Sequence, residues 1–157
     1  MNQLPVAEIS KNSPQRALVV APDMSLEAVL EQLLEHKTRK SIFMVDDDGK
    51  LVGIVNLKEL LIWGWLHLGL LKTPFAISER KLRRLGRAQS AADLTIPNSK
   101  TMVISVETTV AAAMDAMLLS SLDVVAVLDK NGRVVNDLHI EDLLAYALRA
   151  TKEAAHG

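Results

Sequence analysis

The chain has no cysteine. This removes thiol nucleophiles, thiolate-held zinc, iron–sulfur clusters and disulfide or redox roles, and fits a reducing cytoplasm, the default expectation for its location. An excess of one charge is missing too: 18 basic residues face 19 acidic ones, for a formal net charge of -1. There is no long hydrophobic run, because the most apolar stretch, 60–71, falls short of the roughly 20 residues that span a bilayer. The beginning, with Asn2, Pro5 and Glu8, lacks a basic start followed by an apolar core, so no signal peptide is read and the mature chain is expected to begin here. Catalytic motifs are absent as well: no Gly-rich phosphate loop, no nucleophile elbow, no paired catalytic carboxylates. His36, His67, His139 and His156 share no metal-ligand spacing. The run Asp46-Asp47-Asp48-Gly49 lacks the alternating acidic pattern of a calcium loop and reads as a hairpin turn. These absences predict a non-enzyme that requires no metal or cofactor.

What is present is an ordinary globular composition, 157 residues of which 49% are apolar and 24% charged, and an internal repeat. A chain of this length buries roughly 70% of its extended surface, enough for one core or two small ones. Each half runs strand, helix, strand, strand, helix. Leu18-Val19-Val20 is answered by Met102-Val103-Ile104, both short apolar runs. Ser25 and Thr109 then cap helices whose apolar positions recur at helical spacing, Leu26, Val29, Leu30, Leu33 and Leu34 against Val110, Ala113, Met114, Met117 and Leu118. Two hairpins follow, 41–55 and 124–138, turning at Asp46-Asp47-Asp48-Gly49 and Asp129-Lys130-Asn131-Gly132. Each feeds a second helix, opened by Asn56 with Glu59 or by His139 with Asp142. The lead-ins also correspond, Val6-Ala7-Glu8-Ile9 with Ala91-Ala92-Asp93-Leu94. The organisation expected is a first repeat over 1–71, a linker over 72–90 and a second repeat over 91–157.

The linker has a helix breaker at Pro74, a capping residue at Ser78, and five bases, Arg80, Lys81, Arg83, Arg84 and Arg87. They are read as a solvated helix face. They lack interleaved aromatics, which argues against nucleic-acid binding. Segment 60–71 is apolar on every face and must be covered all round.

Val45-Asp46-Asp47-Asp48-Gly49-Lys50-Leu51-Val52-Gly53-Ile54-Val55-Asn56-Leu57-Lys58-Glu59-Leu60-Leu61 is similar to the signature of cystathionine-β-synthase (CBS) domains, and 128–144 is a more diverged version. The resemblance covers approximately 6–71 and 91–148, and two tandem copies resemble the paired unit called a Bateman module. It implies a mixed α/β (α+β) fold, two pseudo-symmetric βαββα repeats packed sheet against sheet, and two clefts. In many members those clefts bind AMP, ADP, ATP or S-adenosylmethionine as a regulatory ligand.

A helix start suits such a ligand physically. Its unpaired N–H groups attract phosphate, and a carboxylate at its third position can accept from ribose hydroxyls. The family junction carries Thr or Ser and then Asp; here the copies carry Asn56 with Glu59, and His139 with Asp142. Gly53 is retained in the first copy and replaced by Asn136 in the second. Arg39 and Lys40 match positions where the family often places bases facing phosphates, whereas the second copy has Leu122 and Asp123. The first cleft is therefore expected to be the stronger anion site, with Arg39, Lys40, Asn56 and Glu59 as ligand residues and His139 and Asp142 in the weaker cleft. A homodimer is expected, since Trp63, Trp65, Leu66 and Leu68 cannot all face one core. The resemblance implies pairing through the final helices of the two repeats, which adds Tyr146 to the interface; a Trp covered by the linker helix is the competing arrangement. Two functions follow: a stand-alone ligand-sensing regulatory module, acting on itself or on an unknown protein partner, or a constitutive dimeric interaction module with empty, degenerate clefts.

Overall fold

The structure is a computed structural model that describes residues 3–10, 17–35, 41–55, 57–69, 76–120 and 123–156. Two compact units are present, one built from Arg16–Thr101 and the other from Met1–Gln15 together with Met102–Gly157. The first contains β1 (Ala17–Val20), α2 (Leu26–Glu35), β2 (Ser41–Val45), β3 (Leu51–Val55), α3 (Leu57–His67) and the linker helix α4 (Glu79–Arg87), following α1 (Val6–Ser10), which belongs to the other. That other unit continues with β4 (Val103–Ser105), α5 (Val110–Leu119), β5 (Val124–Leu128), β6 (Val134–His139) and α6 (Ile140–His156). Each holds a three-stranded sheet, ordered β1-β2-β3 or β4-β5-β6, with a parallel first pair and an antiparallel second pair. The βαββα order read from the sequence is present twice.

The local chemistry repeats with it. Ser25 Oγ accepts from Ala28 N and Thr109 Oγ1 from Ala112 N, both at 3.2 Å, closing the open N–H groups of α2 and α5. In the first hairpin Asp46 Oδ1 accepts from the backbone of Asp48 and Lys50 at 2.9 and 3.0 Å. Asp129 Oδ1 does the same for Asn131 and Arg133 at 2.8 and 2.9 Å. Gly49 and Gly132 take φ of +79° and +80°, the left-handed region that glycine enters without steric cost. The acidic run is thus a turn held by its first aspartate.

The compact units do not coincide with the sequence repeats, because the lead-ins are exchanged. Val6 N donates to Thr108 O, Ala7 N to Val106 O, and Val110 N to Leu4 O. The same three bonds recur as Ala91 N to Met24 O, Ala92 N to Pro22 O, and Leu26 N to Gln89 O. The segment that introduces each repeat therefore completes the unit of the other.

Beyond Leu94 the chain lies along the outer edge of β3. Ile96 N donates to Ile54 O at 2.8 Å, and Ile54 N to Ser99 Oγ at 2.8 Å. An edge strand otherwise exposes those groups. The approach is close enough that a Cβ on Gly53 would stand 2.5 Å from Thr95 Cγ2 and 3.1 Å from Met44 Cε. Gly53 is needed for this packing of the chain against itself.

The first unit's core is formed by Leu18, Val20, Leu26, Val29, Ile42, Met44, Leu60 and Trp63, with Leu85 and Ala88 from the linker. Trp63, expected at a dimer interface, is instead only 8% exposed, and its Nε1 donates to Ala88 O at 3.1 Å. The linker helix of the same chain covers it, so the competing arrangement holds for this residue. Leu66 is half-buried and packs on the same core, Tyr146 is half-buried against the core of the other unit, and Trp65 is half-buried on α3. No described helix is long and apolar enough to cross a membrane.

Gly53→Ala is expected to lower stability by about 1–3 kcal/mol, the usual range for overpacking, with partial recovery in Gly53→Ala/Thr95→Ser, measured by urea unfolding. A second expectation concerns Asp93, whose carboxylate accepts from the backbone N–H groups of Gln89 and Ser90 at 2.9 and 3.1 Å. These bonds lower its pKa from the ordinary value of 3.8. The native state thus favours the charged form, so this contribution is present above the unfolded value and lost as pH falls through the folded one. Asp93→Ala should be less stable than wild type near neutrality, and the two stability curves should draw together in acid below 3.8.

Candidate functional site

The residues expected to bind a ligand belong to the two strand-to-helix junctions, β3–α3 and β6–α6. Of the first set, Arg39, Lys40 and Asn56 lie outside the described residues. Glu59 is described, at the third position of α3, and is 7% exposed. Its Oε1 lies 2.9 Å from Arg84 Nη2 and 3.2 Å from Lys81 Nζ, both on α4. Arg84 Nη1 also donates to Asp93 O at 2.9 Å. The side chain expected to face ribose is therefore oriented by the linker helix. A carboxylate removed from water needs such partners, and losing either would leave it undercompensated. The linker bases read as solvated thus divide: Lys81 and Arg84, though their side chains are still 41% and 43% exposed, reach Glu59, while Arg80, Arg83 and Arg87 are exposed and do not.

Ser41, not singled out from the sequence, stands at the same end of the sheet. It begins β2 beside Ala17 of β1, one residue before Ile42, which pairs with Val55 at the end of β3. Ser41 is 3% exposed, and its Oγ is a buried oxygen without a hydrogen-bond partner among the described residues. A buried hydroxyl left unpaired costs free energy, so its position beside the junction is informative. Nothing in the sequence marks it, because a serine at the start of a strand is ordinary. The corresponding place in the second sheet, opposite His139, is Val124.

At the second junction His139 ends β6. Its backbone N–H donates to Asp142 Oδ2 at 2.8 Å, so Asp142 acts as a capping carboxylate for α6. The imidazole is buried, with Nε2 hydrogen-bonded to Asp137 Oδ2, and the Asp137 side chain is 0% exposed. The bulk of His139 is thus accommodated by an acidic partner on its own strand. Asp137 was missed from the sequence although a signal existed: residues two apart on a strand share a face, and Asp137 is the polar residue two before His139. Asn136 Nδ2 donates to Ser10 O at 3.2 Å, joining β6 to α1.

Of the interface residues, Trp65 lines an open apolar groove of about 730 Å³ between α2 and α3, with Leu30, Leu33, Leu57, Leu61 and Leu68. Leu61 and Leu68 are 74% and 77% exposed. A smaller groove between α5 and α6 is lined by Met114, Leu118, Ile140 and Leu144.

Comparison with known proteins bears on both junctions. The CBS domain model matches residues 6–64 and 91–149. No curated protein matches the sequence. Among solved structures, CBSX2 of Arabidopsis thaliana, in complex with AMP, is 23% identical, with a TM-score of 0.67 over 94% of this chain and 98% of that one. A CBS domain-containing protein of Thermotoga maritima is 19% identical, with a TM-score of 0.68 over 95% and 97%. The cytosolic domain of the Mg2+ channel MgtE, in complex with ATP, is 20% identical, with a TM-score of 0.61 over 84% of this chain and 45% of that one. Each matched segment carries one copy of the strand, helix, strand, strand, helix order described above, and the chain accordingly belongs to the CBS-domain family as a tandem pair.

Proposed function

We propose that this chain is a sensing module that binds an adenosine-containing nucleotide and transmits the binding as a change in stability or association. The observation that carries the reading is the fold match along almost the whole length of CBSX2, a protein seen with AMP. The duplicated junctions support it, since both place a carboxylate, Glu59 or Asp142, in the first turn of a helix, where backbone N–H groups attract phosphate. The first junction is the stronger site in this reading. Ser41 supplies an unpartnered hydroxyl there, where the second sheet has Val124 and a histidine already paired to Asp137. Arg39 and Lys40 add charge complementary to phosphate, and Asp123 opposes it at the second junction. Glu59, oriented by Arg84 and Lys81, receives the ribose.

The same proposal includes a homodimer. The groove between α2 and α3 leaves Leu61 and Leu68 exposed and Trp65 half-buried along its wall, and such an apolar face is stable when a second copy covers it.

Thermal unfolding with AMP, ADP, ATP and S-adenosylmethionine tests the ligand. At a concentration about 100 times Kd, a ligand that binds the native state alone adds about 2.7 kcal/mol, so at least one should raise Tm by several degrees. Calorimetric titration then separates the junctions: Glu59→Ala should abolish binding and Asp142→Ala should leave it. The opposite pattern would transfer the site to the second junction, and no binding to wild type would favour a constitutive module with empty clefts. For the dimer, sedimentation at micromolar concentration should give twice the chain mass, and Leu61→Glu/Leu68→Glu should give a monomer; a monomeric wild type contradicts the interface.

A further inference from the structure

The function proposed above uses the inner side of α4 and leaves its outer side unexplained. Leu85 is fully buried, Ala88 is 6% exposed, and Lys81 and Arg84 reach Glu59. At about 100° per residue, Arg80, Arg83 and Arg87 lie on the face opposite Leu85. All three are exposed. Arg83 pairs with Glu79 at 2.6 Å, both side chains being well exposed, at 67% and 80%, where such a pair contributes little. Arg80 and Arg87 make no ion pair among the described residues. The three guanidinium groups span about 10 Å along the helix, from its rise of about 1.5 Å per residue, and with Arg84 and the single carboxylate of Glu79 they border a shallow groove of about 410 Å³.

This stripe is rigidly mounted. Burial of Leu85, the bond from Trp63 to Ala88 O at 3.1 Å and the pairing to Glu59 hold the helix by three separate contacts. A preorganised charged face loses less entropy on binding than a mobile one. Its chemistry is selective as well, because arginine presents a planar fork matched to carboxylate and phosphate oxygens, and every outward base is arginine.

We propose that the Arg80–Arg83–Arg87 face of the linker helix is a docking surface for a short acidic polypeptide segment. Charge selects this occupant over nucleic acid. The helix holds five basic residues and one acidic residue out of 18 and 19, leaving the rest of the chain with 13 basic and 18 acidic residues, or −5. An extended polyanion would meet that negative remainder, whereas a segment of about two helical turns meets the stripe alone. The helix also carries no aromatic residue on which single-stranded bases could stack. Carboxylates three to four residues apart on a partner helix would match the arginine spacing.

The test is fluorescence anisotropy of the full chain with a labelled oligoglutamate peptide of about ten residues, roughly three helical turns. Saturable binding with one peptide per chain is expected, weakening as salt rises. Arg80→Gln/Arg83→Gln/Arg87→Gln should lose at least about tenfold in affinity, equivalent to about 1.4 kcal/mol, with an unchanged thermal midpoint. Arg80→Glu/Arg87→Glu should lose more, and provides the same comparison if the triple variant folds poorly. Lys130→Gln/Arg133→Gln, on the second hairpin, should bind like wild type. The proposal is overturned by an absence of saturable binding, by equal loss in the hairpin variant, by retained affinity in the arginine variants, or by tighter binding of a duplex oligonucleotide than of the peptide.

Discussion

The outer edge of β3 has to be covered, and the first unit is arranged around how this is done. A strand at the side of a small sheet leaves alternate N–H and C=O groups unpaired, which invites association with other chains. Here the stretch after α4 meets them through Ile96 and Ser99. The approach is tight enough that β3 must carry Gly53, with Thr95 in the space a side chain would occupy. Before this edge α4 packs against α3, placing Leu85 in the core and Ala88 O where the Trp63 Nε1–H donates to it. The linker is thus a structural wall of the first unit.

The same packing of α4 determines the electrostatics of the first junction. Glu59 stands at the start of α3, where a carboxylate is favoured by the helix dipole, and burial there would be costly without cations. Arg84 and Lys81 arrive as a consequence of seating Leu85, since they lie on the flank of α4 turned toward α3. The bases left on the opposite side remain in solvent. One helix therefore serves two environments, a buried anion on one side and water on the other, and its strong segregation of apolar and basic residues reflects both demands.

The second unit solves the corresponding problems with different residues. Its lead-in, α1, packs beside β6 and is tied to it through Asn136 and Ser10. Its junction is closed by the Asp142 carboxylate on the His139 N–H, while the imidazole is satisfied by Asp137. The first sheet instead has apolar Ile54 in the place of Asp137, buried at 2% exposure, and an unpaired Ser41 hydroxyl. Duplicated backbones have thus acquired unlike polar interiors.

Local signals were legible in the sequence because their causes are local. Ser25, Thr109, Asp46 and Asp129 act on backbone groups within a few residues of themselves, and alternating or helical spacing of apolar residues shows which face of an element seeks a core. The repeat, both hairpins, the helix starts at Ser25, Ser78 and Thr109 and the mixed α/β class could therefore be read directly. Contacts between residues far apart could not. Spacing along the chain does not show that the lead-ins trade places, that Leu85 covers Trp63, or that Glu59 meets Arg84 across 25 residues. Those outcomes depend on which surfaces meet when the elements pack, and only the tertiary structure decides which cation neutralises a buried carboxylate and which arginines remain facing water.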